Sequence, residues 1–430
     1  MNKPNILIIL TDDHGYGDVS CYGGPNIQTP NIDAIAEAGI RFTQFYANSP
    51  VCSPSRAALM TGCYPDMVGV PGVIRTHPDQ SWGYFDPGAT TLPEVLKPAG
   101  YHTSIIGKWH LGLEPENHPC ERGFDLFRGF LGDMMDDYCT HLRHGNNYMR
   151  HNHATIDPEG HATDLFTDWA IETIREQAAS EQPFFMYLAY NAPHTPIQPP
   201  EEWVEKIKAR EPEISEQRAR YIALVEHMDA GVGRVMDALR ETGIESDTLV
   251  FYVSDNGGQL DAGAYNGPLR GEKQEMYEGG IRVPCCAQWP GRIQPGTVTD
   301  RVAMLMDLFP TACDAAGVKI SHDIDACSIL PTLKGEEQDF SDREYYWVRR
   351  EHNDWQGHLY FGQDYHAVRK GDLKLLHNDA FSAPELYSLS SDPYEANDLV
   401  AGNPEKLKEL AGIMQRQVQK AGGVPWQKSR

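Results

Sequence analysis

Two hydrophobic rhythms alternate along this chain. Asn5–Leu10 holds an unbroken apolar run, Ile6 to Leu10, closed by Thr11, Asp12 and Asp13, which is the pattern of a strand buried on both faces. His102–Ile106, Phe184–Tyr190 and Thr248–Val253 read the same way, and Arg41–Ala47 sets Phe42 and Phe45 in a strand-like stretch. Between these runs the spacing becomes helical. Asn31–Ala38 carries Ile32, Ile35 and Ala36 behind Thr29-Pro30, an N-cap followed by proline at the first helical position, with Gly39 as the stop. Helices are also predicted over Ser53–Met60, Thr163–Ala178, Glu216–Arg240 and Leu305–Ala316. Strands alternating with helices predict an α/β domain: a large, mostly parallel mixed sheet sandwiched by helices.

The pattern changes near residue 340. Glu344–Arg349, Ala367–Leu376 and Glu385–Leu389 are short strands with polar turns, and Pro404–Lys420 is a helix. This predicts a smaller C-terminal antiparallel sheet packed by one helix, with 1–338 as the larger domain and 339–430 as the C-terminal subdomain. Segments 63–90 and 131–162, rich in Gly, Pro and His, are predicted to be long loops of the kind that shape sites.

With 430 residues the chain can bury a large core without disulfide or metal staples. A net charge of −24 repels nucleic acid and anionic membrane, so neither is expected as a partner. No apolar run reaches the ~18 residues of a membrane span. The cysteines number nine, an odd count without a CxxC pair, which suits a reducing compartment. The expected location is cytoplasmic for the chain as given, or periplasmic or secreted if a leader has been removed.

Asp12-Asp13 follows the first strand and Asp255-Asn256 follows Thr248–Val253. In open parallel sheets the ligand crevice lies beyond the carboxyl ends of the strands. Three carboxylates and one amide there form an oxygen-only donor set, suited to Ca²⁺ or Mg²⁺ rather than zinc. Either pair alone reads equally as a strand terminator. The segment Cys52-Ser53-Pro54-Ser55-Arg56-Ala57-Ala58-Leu59-Met60-Thr61-Gly62 is more specific. Pro54 lies near a helix start, and Cys52 would sit at the N-terminus, where free N–H groups favour anions. Arg56 is one turn on, on the same face. Lys108 and His110 are two apart, so on a strand both would project to one side. Cys285-Cys286 reads as buried strand. His141, Arg143, His144, His151 and His153 read as a pocket rim rather than a zinc site. Arg349, Arg350, His352, Trp355 and His366 are candidates for contact with a sugar or for plain sheet packing.

The Cys52–Gly62 segment resembles the signature of the formylglycine-dependent (type I) sulfatases, arylsulfatase- and N-acetylgalactosamine-6-sulfatase-like members of the alkaline phosphatase superfamily. Gly107-Lys108-Trp109-His110-Leu111-Gly112 is similar to the family's second motif. So are the opening Pro4–Asp13, Ala192-Pro193-His194-Thr195-Pro196, Ser254-Asp255-Asn256-Gly257, Leu269–Lys273 and Tyr277–Pro284. Leu386-Tyr387-Ser388-Leu389, Asp392-Pro393 and Asn397-Asp398-Leu399 resemble its C-terminal subdomain.

The resemblance implies an alkaline phosphatase-like fold and a sulfuric ester hydrolase acting on a sulfate ester, with a sulfated oligosaccharide as the expected partner. Cys52 would be oxidised to formylglycine by a formylglycine-generating enzyme, and its aldehyde would hydrate to a geminal diol. One diol oxygen attacks sulfur and the alcohol leaves. The other hydroxyl then loses its proton and sulfate is expelled, which an ordinary serine ester could not do. Asp12, Asp13, Asp255 and Asn256 would hold Ca²⁺, with Mg²⁺ as the alternative. His110 would orient or deprotonate the diol, and His194 would protonate the leaving oxygen, both suited to histidine chemistry. Lys108 and Lys273 would bind sulfate oxygens, with His194 beside them, and Arg56 would hold the formylglycine hydroxyl. A phosphonate or phosphate ester hydrolase on the same scaffold is the alternative, and a glycan-binding protein with unmodified Cys52 is a third possibility.

Overall fold

A computed structural model describes residues 3–77, 80–180, 182–352, 362–378 and 382–427. The strands of the first part are β1 (Asn5–Thr11), β2 (Ile40–Tyr46), β3 (His102–Lys108), β4 (Leu126–Phe130), β5 (Leu142–Arg143), β6 (Asn146–Asn147) and β7 (Met149–His151). They continue as β8 (Ala154–Thr155), β9 (Phe184–Ala189), β10 (Thr248–Ser254), β11 (Arg282–Gln288), β12 (Thr297–Thr299) and β13 (Ala303–Met304). Among the described residues, eleven strands form one sheet in the order β12-β2-β11-β10-β1-β9-β3-β4-β7-β8, with β13 also against β2. The central strands β10, β1, β9, β3 and β4 are parallel, while β11 and β7 run antiparallel to their inner neighbours.

Strand β1 shows why its sequence lacks polar alternation. Ile6, Ile8 and Leu10 enter one core and Leu7 and Ile9 the other, so both faces are covered. The helices are α1 (Pro30–Glu37), α2 (Cys52–Thr61), α3 (Leu92–Leu96), α4 (Ala162–Ser180), α5 (Glu201–Arg210), α6 (Glu216–Glu241), α7 (Glu278–Ile281), α8 (Leu308–Ala316), α9 (Leu330–Leu333) and α10 (Pro404–Ala421). One face is covered by α1, α4 and α6 through Ile32, Phe166 and Leu224, and the other by α2, α3 and α8 through Leu59, Leu96 and Leu308.

The second sheet is antiparallel, in the order β14 (Glu344–His352), β15 (Gly362–Lys370), β16 (Leu373–His377), β17 (Glu385–Ser388). Leu410 and Ile413 of α10 pack on Val368 and Leu375 in a core that also holds Tyr46, Ala58 and Trp347, so the two sheets share apolar contacts.

Several sequence expectations need correction. Ala367–Leu376 is two strands, because Gly371 adopts φ 58 and turns the chain there. Residues 131–162 are not simply loop: they include β5 to β8, of which β7 and β8 extend the large sheet. The predicted helix at Leu305 opens with a 3₁₀ turn, and α8 proper begins at Leu308. Helix α5 was not anticipated, since only Val204 and Ile207 are buried on it and its charged residues hide the period. Trp355 and the side chain of His352 lie outside the described residues.

Candidate active site

Strands β1 and β10 run parallel in register, Thr11 opposite Ser254, so their carboxyl ends release Asp12-Asp13 and Asp255-Asn256 side by side. Backbone bonds fix both exits: Asp12 N donates to Ala192 O at 3.1 Å and Asp255 N to Thr11 O at 3.1 Å. Asp13 takes the left-handed conformation, φ 63, and its N–H donates to Asp255 Oδ1 at 3.2 Å. All four side chains are buried.

Helix α2 starts at Cys52 and is buried along its whole length. Ser55 exchanges bonds with the backbone of Ser49, and Ser53 Oγ accepts from Ile74 N, which locks the first turn. The Cys52 thiol donates to Asp12 Oδ1 at 3.2 Å. Burial and the neighbouring Asp12 push this thiol well above its ordinary range, so thiolate is suppressed and unmodified cysteine is a poor nucleophile here. One turn on, Arg56 places Nε and Nη2 at 2.9 and 2.8 Å from Asp255 Oδ2, and Nη1 donates to Lys108 O at 3.1 Å.

Two lysines complete the charge pattern. Lys108 Nζ lies 2.5 Å from Asp12 Oδ2, and Lys273 Nζ lies 2.5 Å from Asp13 Oδ2 and 3.1 Å from His194 Nε2. Asp12, Asp13 and Asp255 therefore face Arg56, Lys108 and Lys273, and the formal charges balance. Burial would raise Asp12, but Lys108, His194, Arg56 and Lys273 together hold it well below the usual carboxylate range. Asp255 goes the other way: burial, with Asp12 beside it, pushes it up to about 7 against the pull of Arg56.

The histidines have assigned tautomers set by their partners. His110 Nε2 donates to Ile74 O at 2.9 Å, which leaves a lone pair on Nδ1, an atom buried with no partner. Burial, then Lys108 and Arg56, hold His110 well below its usual pKa, so it stays a neutral base. His194 Nδ1 donates to Thr195 O at 2.6 Å, and Nε2 accepts from Lys273. Burial and Lys273 lower His194 as well. The strand argument for Lys108 and His110 fails: β3 ends at Lys108, and His110 lies beyond it at φ 60. Trp109 N donates to Phe130 O where the chain turns out of the sheet.

The donor set fits a hard divalent cation. Asp12, Asp13 and Asp255 supply carboxylate oxygens, and Asn256 Oδ1 is buried without a partner while its Nδ2 donates to Asp13 Oδ1 at 2.8 Å. A cation would also remove the repulsion that raises Asp255.

Other predicted residues separate. His141 bonds Gly160 O, Arg143 pairs with Asp133 and Asp136, His144 stacks near His77, and His153 stacks on His118, so the His-rich stretch forms no single cluster. Cys285 and Cys286 are buried in β11. Arg350 pairs with Asp364, and His366 stacks on Tyr346. Sequence reasoning missed Tyr138, whose hydroxyl donates to Asn191 O and His194 O at 2.8 and 2.9 Å and holds the His194 loop. Its loop position carried no local signal.

The Sulfatase family model matches residues 4–318. The chain belongs to the sulfatase family. A second model, N-sulphoglucosamine sulphohydrolase, C-terminal, matches residues 271–422 of this sulfatase. It is similar to the N-acetylgalactosamine-6-sulfatase of Canis lupus familiaris, 36% identical over 369 residues, covering 80% of this chain and 68% of the relative. Among solved structures it resembles Ps i-CgsB in complex with k-i-k-neocarrahexaose, with a TM-score of 0.89 and 30% identity over 100% of this chain and 96% of that one. The phosphonate monoester hydrolase of Agrobacterium radiobacter shares the fold, with a TM-score of 0.70 at 21% identity, covering 97% of this chain and 95% of that one.

Proposed function

We propose that this sulfatase hydrolyses a sulfate ester on a carbohydrate, with formylglycine made from Cys52 as the nucleophilic residue. The observation that carries this is the position of Cys52: at the first turn of α2, 3.2 Å from Asp12, and ringed by three carboxylates and three cations. The suppressed thiolate supports a modified side chain over a working cysteine. Formylglycine supplies, once hydrated, a carbon with two hydroxyls, one to attack and one to drive release. Ca²⁺ held by Asp12, Asp13, Asp255 and Asn256 supplies fixed positive charge for the developing negative charge, with Mg²⁺ as the alternative.

The remaining roles follow from tautomer and charge. His110 Nδ1 has the free lone pair and accepts the hydroxyl proton. Lys108 and Lys273 are buried cations that bind sulfate oxygens and cost no reorganisation during reaction. His194 protonates the leaving oxygen from Nε2, drawing on the Lys273 contact at 3.1 Å. Arg56 neutralises Asp255 and Asp12 at the base of the site and holds the formylglycine hydroxyl. The carbohydrate class is supported by the names of the relatives: a sulfatase of an amino sugar and a protein in complex with a neocarrahexaose.

The test has two parts. Protein co-produced with a formylglycine-generating enzyme is digested, and the Cys52 peptide is weighed. The converted protein is then given sulfate, phosphate and phosphonate esters, and sulfated oligosaccharides. Formylglycine at position 52 with sulfate release from a sugar is the expected outcome. A plain cysteine mass, with a control substrate of the modifying enzyme converted, overturns the nucleophile. Preferential turnover of phosphonate esters overturns the substrate class.

A further inference from the structure

The turn that carries Lys273 is fixed from the second sheet. Lys273 N donates to Gly258 O at 3.1 Å and Gln274 N to Pro50 O at 2.9 Å, so the backbone bridges two loops of the first domain. Gln274 adopts φ 82, a left-handed conformation that costs a non-glycine residue on the order of 1 kcal/mol and persists only with outside support. Arg349 of β14 gives that support. Its Nη1 donates to Gln274 O at 2.7 Å and its Nη2 to Gln274 Oε1 at 3.2 Å.

The arginine is itself held. It is buried, Glu351 Oε2 accepts from its Nε at 3.1 Å and Nη2 at 2.7 Å, and its guanidinium lies 4.7 Å from the Tyr365 ring centroid. Neighbouring contacts from the same sheet grip the rest of the segment: Asn378 Oδ1 accepts from Met276 N at 2.7 Å, and Lys374 pairs with Glu278 at 2.9 Å. Arg349 is the contact adjacent in sequence to Lys273, and a planar fork suits two acceptors on one residue where a lysine would supply a single point.

We propose that Arg349 is a positioning residue for the reaction: it holds Gln274 so that the Lys273 ammonium stays between Asp13 and His194. This rests on Lys273 acting on the sulfate group. Displacing a reacting or stabilising group by ~1 Å costs as much as about 10²-fold in rate.

The test is a double-mutant cycle on the formylglycine-bearing protein, reading kcat, KM and the unfolding midpoint. Lys273→Ala is expected to lower kcat by about 10²- to 10³-fold. Arg349→Ala is expected to lower kcat by about 10²-fold in the natural background, and by less than about 3-fold when Lys273 is already Ala, because the group it positions is gone. An equal loss in both backgrounds, or no loss in the natural one, overturns the proposal while leaving Lys273 its role. If Lys273→Ala alone keeps full turnover, the role of Lys273 fails, and that of Arg349 with it. Should Arg349→Ala not fold, Arg349→Lys keeps the charge against Glu351 and enters the same cycle. Its expected loss is about 10-fold in kcat, again confined to the background with Lys273.

Discussion

At the scale of single residues, the site is a problem of buried charge. Asp12, Asp13 and Asp255 sit together out of water, and they are tolerable because Arg56, Lys108 and Lys273 are buried with them. Asn256 Oδ1 is the odd atom, a buried acceptor with nothing to accept. Adding Ca²⁺ to metal-stripped protein should therefore raise the unfolding midpoint. The gain is about 2.7 kcal/mol when free ion exceeds the Kd a hundredfold. Zn²⁺ should not substitute, because the donors are hard oxygens. Differential scanning calorimetry with each ion checks this, and Asp255→Asn should lose most of the calcium gain. An unchanged midpoint with Ca²⁺ would refute the assignment. The quartet was legible in the sequence because two acidic pairs followed two strand-like runs. The geometry of His110 was not, because its placement depends on where β3 ends and on a left-handed backbone at one residue.

Elements explain why those residues meet. Parallel pairing of β1 with β10 brings residues 12 and 255 together across more than half the chain. Helix α2 then delivers Cys52 and Arg56 to the same place. This much was readable, since buried parallel strands and a helix start leave strong local patterns. Tyr138 and Arg349 were not readable as site residues, because their partners are backbone atoms distant in sequence. His161 shows an element junction with a measurable pH signature. Its Nδ1 accepts from Thr163 N near the start of α4 and its Nε2 donates to Gln198 O just before α5, so it is needed neutral. Burial, then His227, lowers it from 6.5 to about 4. The unfolded chain binds this proton near pH 6.5 and the folded chain only near 4. Stability from this group is thus complete above 6.5 and is lost as pH falls toward 4, about 2 kcal/mol by pH 5. His161→Gln should shrink the difference in unfolding free energy between pH 7 and pH 5 by that amount. Urea unfolding of both proteins at both pH values decides it, and identical differences would refute the assignment.

At the scale of the molecule, the bulk charge and the site charge oppose one another. The chain carries −24, while the proposed substrate is an anion. Long-range steering therefore works against encounter, and only charges within ~8 Å act on the substrate at physiological salt. Cations around the site offer little compensation at distance, since Arg75 pairs with Glu351, Arg143 with Asp133 and Asp136, and Arg270 with Glu385. Attraction is confined to the buried group of Arg56, Lys108 and Lys273 and to the divalent ion. Raising salt should screen the distant repulsion before it weakens these contacts. For a singly sulfated substrate, kcat/KM should then change by less than about 2-fold between low and physiological salt. The sign should be positive, and the increase should grow with each further sulfate on the oligosaccharide, because each adds a charge repelled by the surface. Initial rates on mono-, di- and trisulfated substrates across a salt series measure the slope directly. A steep fall with salt that deepens as sulfates are added would instead require an unpaired cationic surface along the substrate's path, and would contradict the charge pattern described above.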